Sequence, residues 1–402
     1  MKIIIFIENN QNGGLNTFCS TLINQWPNTN DSFIVICNKS HPGRKNLENS
    51  IKSSCKFIYH NIPLSWVMSR KVLFFLPSII RRMSQPFLRI LFFPIQYLLI
   101  RNIFKQNDGN ELLVINGGFP GGESCRIANI VWFNMGRKSG IHNFHNFAVA
   151  PRFGFEWYEN WVDRLLLKST KLFISVSRSC SESLKVRSTF KNLNNSRFIY
   201  NGINDASTQE NDFNIRDSLG IGNNPLCIML GNYEPRKGHQ FIFEAFRLVE
   251  QDVPNAHLVV CGGGTKDEVA EVKNIKEKII SNGNVHLLEF IPDGASLISQ
   301  ADLLLIGSQE FESFGLTAVE SMIRKKPIVS TDTGGLPEVI GLDNACGYVI
   351  DRNDAVKFSK KIVLLLKNEK LRGAMGESGR VRAIKLFGAD RMANEYLSAI
   401  EE

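Results

Sequence analysis

Short apolar runs alternate with amphipathic stretches over most of this chain. In the first half the runs fall at residues 3–7, 33–37, 112–115, 129–133, 171–176 and 197–200. Each is rich in branched and aromatic residues and is bounded by polar or glycine-containing turns, which predicts buried strands. Residues 16–26 carry a helical pattern between the first two. The second half repeats the rhythm, with strands predicted at 226–230, 257–261, 285–290, 303–306, 327–330 and 347–350 and helices between them. Residues 389–400 predict a last amphipathic helix. Strands joined by helices imply parallel βαβ units. Asn201-Gly202 closes the first half, and the polar stretch after it reads as a linker. The expectation is an α/β chain of two doubly wound, Rossmann-like domains with an interdomain cleft: 1–205, a linker at 206–224, 225–380, and a C-terminal segment 381–402 packing back on the first domain.

Composition sharpens this picture in three places. The 402 residues, 43% of them apolar, suffice for two cores. The eight cysteines are scattered with no C-x-x-C pair, which points to reduced core thiols in a cytosolic protein. The opening apolar run ends at Glu8-Asn9-Asn10, too short for a signal-peptide core, and reads as a first buried strand. The net charge of +8 is local: no acidic residue lies between Glu48 and Asp108, whereas Lys52, Lys56, Arg70, Lys71, Arg81, Arg82, Arg89, Arg101 and Lys105 do. Within it, 64–105 mixes bulky apolar groups with arginines and is divided by Pro77, Pro86 and Pro94. No stretch there reaches the roughly 18 uncharged residues of a spanning helix. A basic amphipathic segment lying in an anionic membrane surface is the expectation. The same residues would also suit a helical layer with a solvated basic face.

The chemistry concentrates in the second half. After the strand at 303–306 comes Gln309-Glu-Phe-Glu-Ser-Phe-Gly-Leu-Thr-Ala-Val-Glu-Ser-Met322, a polar loop running into a helix near Gly315. The first helical amides, around Gly315, Leu316 and Thr317, lack intrahelical acceptors and make an anion site. Glu320 follows one turn on, where it can accept hydrogen bonds from ribose hydroxyls. Glu312 precedes the helix, where it can face a sugar carried by the bound diphosphate. Leu230-Gly-Asn-Tyr-Glu-Pro-Arg-Lys-Gly-His239 brings Arg236 and Lys237 out of a strand–loop turn. Fixed cations there can stabilise a departing diphosphate. No Asp-x-Asp or histidine cluster offers a metal site.

These residues resemble the family-4 glycosyltransferases of the GT-B fold, retaining enzymes of the bacterial polysaccharide and O-antigen type. Glu312-x7-Glu320 is similar to their E-x7-E signature, and Gly231 to Gly238 to their strand–loop–K-G segment. Asn201-Gly-Ile203, Val176-Ser177, Gly13-Gly14 and Thr333-Gly-Gly-Leu-Pro-Glu338 resemble further elements in the family's order. The resemblance implies a nucleotide-sugar co-substrate, expected to be UDP-linked, with no other cofactor and no metal. It assigns Glu320 to ribose, Lys237 and Arg236 to the phosphates, Glu312 to the donor sugar, the Phe290-Ile291 backbone to the base, and Gly231, Gly13 and Gly14 to the donor surface. Transfer would proceed with retention to a lipid-linked or polysaccharide acceptor, from a peripheral position on the inner face of the cell membrane. No nucleic acid partner is expected.

Two departures stand out. Asn232 occupies the place of an arginine common after the strand glycine, and Val131-Trp-Phe-Asn134 the place of a histidine often found after a mid-domain strand. His142, His145 and Asn134 are the acceptor-side candidates, the histidines expected in a loop. Each feature also has a plainer reading: Glu312 and Glu320 as a loop acid and a helix-face acid, Arg236-Lys237 as a surface pair, the histidines as loop residues, the glycines as tight turns. A nucleotide-sugar epimerase of GT-B architecture, or a non-catalytic nucleotide-sugar sensor, would share the donor site. The epimerase would leave 64–105 without a role.

Overall fold

The computed structural model describes residues 1–10, 13–205, 213–291 and 294–402. The chain divides into two compact units, 1–202 with 389–402, and 203–388. The first is built on seven strands: β1 (Lys2–Glu8), β2 (Ser32–Asn38), β3 (Cys55–His60), β4 (Glu111–Asn116), β5 (Gly140–Phe144), β6 (Thr170–Ser175) and β7 (Ser196–Phe198). They form one parallel sheet in the order β3-β2-β1-β4-β5-β6-β7. In β1, Ile3, Ile5 and Ile7 pack into one apolar cluster, whereas Ile4 and Phe6 pack into another. Helices cover both faces, which is why the run is apolar throughout rather than alternating.

The second unit holds β8 (Leu226–Leu230), β9 (His257–Cys261), β10 (Val285–Leu288), β11 (Leu303–Ile306), β12 (Ile328–Thr331) and β13 (Gly347–Ile350). This sheet is also parallel, ordered β10-β9-β8-β11-β12-β13. The two-sheet α/β architecture is the one expected.

Several local expectations need correction. Residues 129–133 are not a strand: they lie in the helix Glu123–Asn134. That helix is buried on nearly every side, with Ala128, Val131 and Trp132 in one cluster and Ile130 in another. A helix apolar all round reads like a buried strand over a short window. The strand lies later, at β5. β3 was missed as well; its side chains are mostly half-exposed, so its apolar run is short.

Prolines do not divide 64–105 as expected. A short helix, Ser65–Lys71, is followed by one of 29 residues, Ser78–Gln106, that runs through Pro86 and Pro94. Each proline removes one backbone hydrogen bond. The helix persists because Phe92, Gln96, Ile100 and Phe104, spaced one turn apart, are buried on one face, and Gln96 Nε2 donates to Pro63 O at 2.7 Å. Its outer face leaves Ile79, Met83, Phe87, Leu91 and Leu98 exposed. By length and composition this helix would suffice to cross a membrane. Phe87 packs on Phe155 at 4.9 Å and Phe93 on Trp161 at 5.0 Å; Phe153 and Trp157, in the same stretch of chain as these partners, are exposed too.

The boundaries also differ. Of the expected linker, 206–212 lie outside the described residues. The part from 213 to 224 belongs to the second unit, held by Arg216, which bonds Gln300 O, Gly222 O, Asn224 O and Asp302. The helix Glu369–Phe387 also belongs to that unit. The chain returns only with the helix Ala389–Glu401, whose Met392, Tyr396 and Ile400 complete the cluster around β1 and β2.

Candidate active site

In an open parallel sheet, ligands collect beyond the C-terminal strand ends where the strand order reverses. In the second unit that point lies between β8 and β11. Loops from these two strands carry Lys237 and Glu312, 75 residues apart, to a contact of 2.6 Å between Nζ and Oε2. Both side chains are largely covered, and Ser308 Oγ donates to the same carboxylate oxygen at 3.1 Å. Burial pushes the Glu312 carboxyl up. Lys237, Arg236 and Ser308 outweigh it, and the group is held below its ordinary value. Glu312 is therefore ionised at neutral pH.

Two glycines make this approach possible. Gly238 closes the short turn Pro235–Lys237 with φ of 72°, and a Cβ there would lie 1.9 Å from Gly307 O. Only glycine lets the Lys237 loop sit this close to the end of β11. Gly315 caps the helix Leu316–Ile323 with φ of 93°, and a Cβ would meet Leu336 Cδ2 at 2.6 Å. The helix starts one residue past the cap, leaving the Leu316 and Thr317 amides without intrahelical acceptors. Glu320 stands half-buried one turn further along.

The loop before this helix is fixed from behind. Gly335 N donates to Glu312 O at 2.7 Å. Thr331 and Thr333 hydroxyls both donate to Ser308 O, at 2.6 and 2.7 Å. Glu312 thus projects from a rigid turn. Arg236 is engaged differently from Lys237: its Nε bonds Glu234 at 2.5 Å and its guanidinium lies over the Phe311 ring at 5.1 Å. Asn232 also bonds Glu234, at 3.2 Å. Gly231 lies under the Lys237 stem, 3.7 Å from its would-be Cβ. Phe290 is exposed just beyond β10, with Ile291 after it. Among the described residues no three metal-ligating side chains converge.

In the first unit the order reverses between β1 and β4. Gly13 caps and Gly14 opens the helix Gly14–Asn24 that follows β1; residues 11 and 12 lie outside the described residues. The three acceptor-side candidates separate. His142 is not in a loop but inside β5, fully buried, with Nε2 accepting from Asn116 and Nδ1 donating to Asn129. Both ring nitrogens are committed to the core, and burial beside Arg126 pulls its pKa down to about 3. Asn134 is exposed at the end of the helix Glu123–Asn134 and bonds Tyr97, away from the C-terminal strand ends. His145 is the first residue past β5. Its ring meets Phe18 of the helix Gly14–Asn24 edge-on at 4.2 Å, and its Nε2 has no hydrogen-bond partner. Of the two histidines expected in a loop, His145 is therefore the one directly after a mid-domain strand.

Residues 211–382 match the family described as "Glycosyl transferases group 1". The chain is similar to N-acetyl-alpha-D-glucosaminyl L-malate synthase of Bacillus anthracis, 28% identical over 49% of this chain and 51% of that relative. It also resembles the putative glycosyltransferase EpsD of Bacillus subtilis, 23% identical over 80% of this chain and 86% of EpsD. Residues 211–382 are thus a group 1 glycosyltransferase domain, and the chain as a whole resembles GT-B glycosyltransferases of the family-4 kind. The crystal structure of Anabaena HepE in complex with UDP shares the fold, with a TM-score of 0.76, 16% identity and full coverage of both chains. The match to the Bacillus anthracis enzyme spans about half of that protein, whereas the fold likeness extends over all of this glycosyltransferase.

Sequence reasoning passed over two parts of the glycosyltransferase's second-unit site. Ser308 carries no motif of its own, though its place directly after Gly307 at a strand end was a signal. Gly262 carries none either, yet its Cβ would fall 1.8 Å from Gly231 O, so a side chain there would push the β9 loop off the strand end beneath Lys237.

Proposed function

We propose that this glycosyltransferase moves a sugar from a UDP-linked donor to a lipid-linked or polysaccharide acceptor at the cytoplasmic face of a membrane, with retention and without a metal ion. The observation that carries the proposal is the Lys237–Glu312 pair at the strand-order reversal, beside a helix start whose cap offers no side-chain acceptor. A diphosphate at the Leu316 and Thr317 amides would draw Lys237 from Glu312 and share its charge. As the glycosidic bond breaks, negative charge grows on that diphosphate, and Lys237 lowers the barrier by meeting it; Arg236 adds a second positive charge nearby. Glu312, freed of its cation, accepts hydrogen bonds from the donor sugar. Glu320 takes the ribose, and the Phe290-Ile291 backbone the base. UDP is the nucleotide of choice because HepE, which shares the fold, binds it. On the first unit, His145 with Gly13 and Gly14 form the surface proposed for the reacting sugar and acceptor.

The membrane part rests on the basic, apolar surface of 65–106, where exposed Phe74, Phe75, Met83 and Phe87 accompany Arg70, Lys71, Arg81 and Arg82, none of which forms an ion pair among the described residues. A thermal-shift screen of nucleotide sugars, followed by donor hydrolysis with and without a chelator, tests the assignment. A UDP-sugar should raise the midpoint most and be hydrolysed to the anomer it carried, chelator or not. Absence of any nucleotide effect would remove the donor site, and an inverted anomer would remove retention.

A further inference from the structure

We propose that the first unit carries a separate site for the phosphate head of a lipid, in a pocket where Lys39, Arg44 and Lys71 converge and where the hydrocarbon chain leaves over Val72 and Phe74. This rests on the lipid-linked acceptor reading above and gives that acceptor a place. The pocket is an open groove of about 480 Å³ beyond the C-terminal ends of β2 and β3, against the helix Ser65–Lys71. Three cations line it and no acidic residue does. Among the described residues none of the three forms an ion pair; Arg44 donates only to the His41 carbonyl, at 3.2 Å. Three cations lining one pocket with no acidic residue in its wall favour an anion there.

His60 adds an independent sign. It lines the pocket and is 6% exposed. Its Nδ1 accepts from Ile62 N at 3.3 Å, so the neutral ring carries its proton on Nε2, and that atom has no partner. A buried donor left open in the wall of a cationic pocket is costly unless an acceptor joins it.

The rest of the wall selects an amphiphile over a soluble phosphate. Val67 and Met68 make one side apolar. Lys71 is the last residue of its helix, and the next residues, Val72 and Phe74, are 53% and 72% exposed. A head group held by Lys71 would therefore start its chain along apolar surface that water otherwise covers.

Calorimetric titration of the full chain tests this, with UDP saturating the nucleotide site and three probes: geranyl diphosphate, inorganic pyrophosphate and geraniol. Geranyl diphosphate should bind saturably and at least about tenfold more tightly than either part alone. Lys39→Gln and Lys71→Gln should each weaken it roughly five- to tenfold, with Lys71→Arg close to wild type. Both lysines are exposed and unpaired, so the variants should melt with the parent. Equal affinity for pyrophosphate, absence of saturable binding, or variants that bind like wild type would each overturn the site. Titration of the unaltered protein with UDP alone reads the nucleotide site separately, so either reading can fail without the other.

Discussion

Lys237→Met separates the two roles assigned to the Lys237–Glu312 pair. At 2.6 Å, with an effective dielectric of ~20, the bare attraction is about 6 kcal/mol. Loss of hydration at two largely covered groups offsets most of it, leaving a net of about 1.5–3 kcal/mol for such a charge-assisted contact. A diphosphate that takes the place of Glu312 inherits a contact of this size. The variant should therefore lose roughly 10- to 150-fold in UDP affinity, while uridine, which has no phosphate, should bind as before. Glu312→Gln should do the opposite. It frees Lys237 without disturbing the Ser308 contact, so UDP should bind equally or more tightly while donor turnover falls. Titrations of both variants with UDP and uridine, alongside single-turnover donor hydrolysis, decide the matter. If Lys237→Met kept full UDP affinity, or if Glu312→Gln lost affinity and turnover in equal measure, the placing of the diphosphate at Lys237 would be wrong.

Glu320→Ala should weaken both uridine and UDP, because the carboxylate is assigned to ribose rather than to phosphate; the same titrations read it. Gly238→Ala should cost more than about 3 kcal/mol, since φ of 72° and a 1.9 Å approach to Gly307 O both oppose a side chain; the second unit's melting transition should fall and UDP binding with it. Glu123 is buried beside Glu8, and burial together with that neighbouring charge raises its pKa despite Arg89 and the Ser65 amide. The folded state then holds a proton that the unfolded chain releases as pH climbs past the ordinary carboxyl value. Stability from this group falls from there toward neutrality, so Glu123→Gln should flatten the pH dependence of melting and raise the midpoint at pH 8. The protein should also pellet with anionic but not neutral vesicles and release in high salt, since local basic charge initiates the contact; failure to bind at low salt would remove the membrane surface as a partner.

The local chemistry of the second unit was legible in the chain itself. The eight-residue spacing of Glu312 and Glu320, the glycines at 238 and 315, and apolar runs broken by helical stretches already implied parallel sheets and a helix start able to hold an anion. Those features depend on neighbours a few residues away, where periodicity and φ preferences act. What joined them was topology. Lys237 and Glu312 meet because β8 and β11 are adjacent at the reversal of strand order, a pairing that no local pattern encodes. The same limit explains the errors. The helix Glu123–Asn134 looked like a strand because it is buried on both sides, and that displaced β5 and left His142 and His145 both expected in a loop. The two lie three residues apart, and only the packed sheet fixes that β5 ends at Phe144, between them. Pro86 and Pro94 are helix breakers by propensity, yet burial of Phe92, Gln96, Ile100 and Phe104 on one face outweighs two lost backbone bonds. The cationic pocket arises in the same way: Lys39, Arg44 and Lys71 are unremarkable in sequence and become a site only where β2, β3 and a helix after them converge.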